Sequence, residues 1–142
     1  MIGSINTIMA TQRAKKVRLF KDIDMAFGKN DFSNDINKKL DVNAVKQAIK
    51  NLLLTKTGER PFNPELGSPL YHMLFEPMRP GIETVISSRV RDVIEAYEPR
   101  ARIMDIETFA DYEANGYRLS LFFHVVGINE PQALHLNLTR LR

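Results

Sequence analysis

Cysteine and tryptophan are absent from the 142 residues, and aromatic residues of all kinds reach only 8%. Without cysteine the chain can build no disulfide framework, no thiolate metal site and no thiol nucleophile. A reducing compartment is compatible with that composition. Histidine is scarce as well: His72, His124 and His135 are dispersed, and none shows the HExxH spacing that sets two imidazoles on one helical face. No metal and no cofactor are therefore expected. No run approaches the ~20 apolar residues that cross a bilayer, so a soluble chain without a membrane partner is expected. Acids are missing from the first 21 residues altogether.

What is present is ordinary for one globular domain, with 44% hydrophobic and 26% charged residues. The net charge of +3 and pI near 9.3 are not spread evenly. Arg13, Lys15, Lys16, Arg18 and Lys21 contribute +5, which leaves the rest of the chain at −2. A slightly acidic body has no phosphate-binding footprint, and no nucleic-acid partner is expected. The basic terminus lacks the apolar core of a secretory signal. It reads as an arm that orders against a neighbour.

Residues 1–40 form this extended arm and docking segment, with Phe27, Phe32 and Ile36 as spaced apolar anchors; residues 41–142 form the domain. Asp41 or Asn43 caps a first helix on whose inner face lie Val45, Ile49, Leu52 and Leu53. Four prolines between Gly58 and Met78 forbid a long helix there. Ser68-Pro69 starts a short helix over Pro69 to Phe75. The stripe Ile82, Val85, Ile86, Val90, Val93, Ile94 and Tyr97 predicts a third helix from about Pro80 to Tyr97, with Tyr97 in the core.

The period then changes to two. Met104, Ile106, Thr108 and Ala110 share one face of a first strand, and Tyr117, Leu119, Leu121, Phe123 and Val125 that of a second. Asn115-Gly116 suits the tight turn between them. A third strand has Leu134, Leu136 and Leu138 on one side and His135, Asn137 and Thr139 on the other. The expected fold is α+β, three helices packed on a small three-stranded antiparallel sheet. Its last strand falls at an edge, where another chain can add.

Catalysis finds little support. The acid pairs Glu59/Glu65, Glu76/Glu83 and Glu95/Glu98 are undistinguished by context, and Ser87 and Ser88 lie on a helix without a nucleophile elbow. Two charged motifs stand out instead. Gly58, Glu59, Arg60 and Pro61 begin a loop longer than a connection needs, in which Glu59 and Arg60 either pair with each other or serve binding. In "YEPRARI" Pro99 stops the helix, so Glu98 and Arg100 fall on the corner. There they form either a surface ion pair worth about 0–1 kcal/mol or groups held out for a partner.

The segments "NAVKQAIKNLLLTKTGERPFNPELGSPLYHMLFEP" and "AYEPR", with "FKDIDMAF" upstream, closely resemble the sheath-initiator family of contractile-tail baseplate wedge proteins, shared with type VI secretion baseplates and contractile injection systems. The resemblance covers roughly residues 20–142. It implies a non-enzymatic virion subunit, assembled in the host cytoplasm and located in the tail baseplate. Implied partners are the wedge core-bundle proteins, through Glu98, Pro99 and Arg100, and the tail sheath subunits; the tail tube is a further one. Glu98 and Arg100 would project toward wedge helices. Residues 132–141, with Leu134, His135, Leu136, Asn137, Leu138 and Thr139, would pair with sheath arms. Some phage members carry a lysozyme label, which keeps a peptidoglycan hydrolase as the alternative.

Overall fold

In a computed structural model of the chain, residues 20–139 are described. The basic cluster within residues 1–19, and residues 140–142, lie outside them. Five strands and three helices follow in the order β1 (Lys21–Ile23), β2 (Lys38–Leu40), α1 (Val42–Leu54), α2 (Leu70–Leu74), α3 (Ile82–Tyr97), β3 (Ala101–Asp111), β4 (Gly116–Val125) and β5 (Pro131–Thr139). The expected α+β architecture is present, with a second, two-stranded sheet β1-β2 beside the main antiparallel sheet β3-β4-β5.

Alternation explains the sheet. All five inward residues predicted for β4, Tyr117 to Val125, are buried, and Leu136 and Leu138 of β5 join them. The register sets Leu119 beside Leu136 and Tyr117 beside Leu138, so like faces meet. Against this face pack Val45, Ile49, Leu52 and Leu53 of α1 and Ile86, Val90, Val93 and Ile94 of α3. The Ser87 hydroxyl ties α3 to β3 through Thr108 Oγ1 at 2.8 Å.

β3 departs from simple alternation. Its pairing with β4 slips between Ile103 and Asp105, and the extra residue turns Met104 out to solvent. Ala101 and Ile103 face the core before this bulge, and Ile106, Thr108 and Ala110 after it. The turn differs too. Residues 112–115 separate the strands, and Asn115 alone of the expected pair adopts positive φ. Gly116 is needed for another reason: a β-carbon there would collide with the Leu138 carbonyl oxygen of the neighbouring strand.

The segment before α1 also differs from the extended reading. β1 and β2 pair antiparallel from Lys21–Leu40 to Ile23–Lys38. Phe27, Phe32 and Ile36, expected as anchors, are exposed. Polar contacts hold this hairpin instead. The Gln47 side chain of α1 donates to the Ile23 carbonyl at 2.8 Å, and the Phe20 amide donates to the Asp41 carboxylate. The Asp41 amide in turn donates to the Phe20 carbonyl.

α2 begins as the Ser68-Pro69 pair predicts. The buried Ser68 hydroxyl accepts from the Leu70 amide at 3.2 Å, and Leu70 is buried. α3 starts after Gly81 in a left-handed conformation. Tyr97 corrects the core assignment: at 38% exposure it lies at the surface, where its hydroxyl donates to the Glu65 carbonyl.

Candidate partner-binding site

The loop between α1 and α2 is built to hold shape. Gly58 N–H donates to the Pro64 carbonyl at 2.8 Å, and Ser68 N–H to the Thr55 carbonyl at 2.8 Å. Lys56 and Ser68 form a parallel bridge. Gly67 passes so close to that bridge that a β-carbon would lie 2.8 Å from the Lys56 carbonyl. The Lys56 ammonium rests 3.6 Å above the Tyr71 ring. Glu59 and Arg60 do not pair. The Glu59 carboxylate turns back to accept from the Lys56 amide at 2.9 Å, and the Arg60 guanidinium makes no hydrogen bond or ion pair among the described residues.

The corner ends α3 as the proline predicts. Glu98 closes the helix by donating its amide to the Ile94 carbonyl, and the Val126 amide donates to the Arg100 carbonyl, fastening the corner to the end of β4. The side chains, however, do not both project. Glu98 is only 5% exposed. Its two oxygens accept from Arg100 Nε at 2.6 Å and Arg100 Nη2 at 2.8 Å, a bidentate pair. Arg100 Nη1 donates to Asp22 of β1 at 3.3 Å, and its guanidinium stands 5.5 Å from the Phe20 ring centre. These bonds, the Glu98 pair above all, hold Arg100 charged well beyond the ordinary arginine range.

The expectation that Glu98 and Arg100 are free groups therefore gives way to a partly buried network of Glu98, Arg100 and Asp22. Spacing suggested a surface pair because nothing in the local sequence around Asp22 signals that it returns to residue 100. Burial decides the difference. A carboxylate closed off by the helix end and the sheet would be costly without a cation in contact.

Loop and corner, far apart in sequence, share one cleft of about 230 Å³. Ala48, Asn51 and Leu52 of α1, Arg60 and Leu66 of the loop, and Tyr97 and Glu98 of the corner line it. Its size is below the ~300–1,000 Å³ of typical small-molecule sites, and suits protein side chains. The sequence named Arg60 and Glu98 separately; their convergence, and the part played by Leu66, were not visible in spacing.

The other predicted surface is the edge of the sheet. Among the described residues β5 pairs with β4 on one side only. Leu134, Leu136 and Leu138 turn toward the core and His135, Asn137 and Thr139 toward solvent. His135 Nδ1 lies 3.0 Å from the Ser120 hydroxyl across the outer face. Among the described residues no group of three or more His, Cys, Asp or Glu side chains could hold a metal ion, and no helix is long and apolar enough to cross a membrane.

Residues 40–128 match the family described as baseplate wedge protein gp25. The chain belongs to this family. The baseplate wedge protein gp25 of Enterobacteria phage T4 is 28% identical over 109 residues, covering 77% of this chain and 82% of that protein. Membership places the chain among the structural components of contractile-tail baseplates.

Solved structures share the fold at lower identity. A Geobacter sulfurreducens protein carrying a provisional tail-lysozyme label superposes with a TM-score of 0.63 at 18% identity, over 69% of this chain and 89% of its own. A chain of the anti-feeding prophage baseplate gives 0.60 at 18%, over 84% and 85%. One from the type VI secretion baseplate complex gives 0.54 at 16%, over 68% and 92%.

Proposed function

We propose that this wedge subunit binds the helical core bundle of the baseplate wedge through the face formed by the 58–61 loop and the corner at Glu98, Pro99 and Arg100, and that its β5 edge starts the first ring of sheath subunits. The observation that carries the first part is the convergence of both charged motifs on one cleft. In this reading the Glu98–Arg100 pair sets the shape of the corner, and Arg100 keeps the outer part of its guanidinium for a partner in exchange for Asp22. Pro99 is exposed between them and fixes the angle at which the surface is offered.

Sheath attachment rests on β5. An arm of a sheath subunit adds alongside residues 131–139 by main-chain hydrogen bonding, which specifies direction but tolerates side-chain variation. The tail tube is a further neighbour for the basic residues before Lys21. The role is structural, without catalysis. The lysozyme label on one relative is the single observation favouring a peptidoglycan hydrolase; against it, Glu98 is already engaged by Arg100.

Reconstitution tests the reading. Purified chain is mixed with the core-bundle subunits of the same particle, then with sheath subunits, and complexes are separated by size. A Glu98→Gln/Arg100→Gln variant that keeps its circular dichroism spectrum is expected to lose the wedge complex. Proline substitutions along β5 that keep the fold are expected to lose sheath. Wild-type assembly by the corner variant would overturn wedge binding there, and sheath attachment at every folded proline variant would overturn strand addition. Peptidoglycan cleavage by the purified chain would favour the hydrolase.

A further inference from the structure

The charges around the cleft between loop and corner are partnered unequally. Glu98 is neutralised by Arg100 within hydrogen-bonding distance, and Asp22 further offsets Arg100. Arg60, which lines the same cleft, makes no side-chain hydrogen bond or ion pair among the described residues. It extends from a loop that is pinned at its base by Thr55, Lys56 and Ser68. Around it are apolar surfaces, Leu52, Leu66 and the ring of Tyr97, and Tyr97 is itself held by the Glu65 carbonyl. A cation carried on a pinned loop beside an apolar wall suits a carboxylate set next to an apolar side chain.

We propose that this cleft is a specificity pocket in which Arg60 receives an acidic residue of a wedge core-bundle helix while Leu52, Leu66 and Tyr97 receive an apolar residue one helical turn away. The inference rests on the reading that this face meets the core bundle, and names the chemistry of the segment it takes. Charge argues against the chain's own terminus as the occupant, because residues 1–21 carry five cations and no acid. The small volume, about 230 Å³, favours one or two side chains over a metabolite. Spacing of one turn follows from helix geometry, since residues three or four apart lie on one face.

The test measures binding of the full chain to the purified core-bundle subunits, used as the probe. Arg60→Ala is expected to weaken binding by about tenfold or more, as removal of one partner from a desolvated charge pair does. Arg60→Glu is expected to abolish binding, and Arg60→Lys to recover part of it. The wild-type affinity is expected to fall with added salt. Each variant is checked for an unchanged thermal midpoint, and the Glu98→Gln/Arg100→Gln chain is run alongside.

The outcomes separate the two ideas. Wild-type affinity in the Arg60 variants, with loss in the corner variant, overturns the pocket and leaves corner binding standing. Loss in the Arg60 variants alone supports the pocket and overturns the corner. Wild-type affinity in all of them overturns both. Sedimentation of the chain by itself covers the remaining occupant: a dimer that dissociates on Arg60→Glu would overturn the wedge helix in favour of a second copy.

Discussion

Two charged motifs meet at one cleft and are treated oppositely. At the corner, Glu98 is buried and both its oxygens are taken by Arg100; on the loop, Arg60 stands exposed with no partner among the described residues. The difference teaches that a charge at the end of a helix is not thereby a binding group. Where the backbone buries a carboxylate, a neighbouring cation is committed to the fold first. Where a rigid loop holds the cation outside, it remains available.

The strongest way to break this comparison is to remove Arg100. Arg100→Ala leaves a buried carboxylate uncompensated and is expected to cost about 3–5 kcal/mol, read from urea unfolding. Removing Glu98 as well should restore part of that loss. A single-variant cost below about 1 kcal/mol would mean that the pair behaves as an exposed one.

Tyr117 sharpens the comparison from the other side, as a buried polar group left unsatisfied. Its hydroxyl finds no hydrogen-bond partner among the described residues, and burial pushes the phenol above its ordinary value of 10.0. Tyr117→Phe is expected to be neutral or to stabilise by about 1 kcal/mol, the reverse of Arg100→Ala. The folded state holds this proton more tightly than the unfolded chain. Its contribution is therefore complete below pH 10.0 and lost as pH rises through the raised folded value. Alkaline unfolding should move to higher pH in the phenylalanine variant.

Smaller effects probe the edges of the cleft. Tyr97→Phe removes the hydroxyl bond to the Glu65 carbonyl and should cost about 0.5–1.5 kcal/mol, measured by thermal unfolding. Asp22→Asn weakens the outer contact to Arg100 and should cost only ~0.2–1 kcal/mol, because both side chains retain solvent access. Arg60→Ala should change stability by less than ~0.5 kcal/mol. A larger loss there would show that Arg60 serves the fold, and the contrast with Arg100 would disappear.

Much of the fold was legible before any tertiary contact was known. The alternation from Tyr117 to Val125 identified β4 and its buried face, and the helical spacing from Ile82 to Ile94 identified α3. These patterns are local because a side chain's direction repeats every second residue in a strand and about every fourth in a helix. Met104 escaped the pattern because a bulge adds a residue without altering composition. Phe27 and Phe32 misled because apolar character alone does not decide burial.

The sequence by itself determined the element types from α1 to β5, the helix stop at Pro99, the inward leucines of β5 and the two motifs of the cleft. Only the tertiary structure decided which charges were spent. Asp22 reaches Arg100 across 78 positions of chain, and Arg60 approaches Glu98 through the packing of α1 against α3. Such meetings depend on where whole elements dock, and the energy of an ion pair depends on how much water that docking removes.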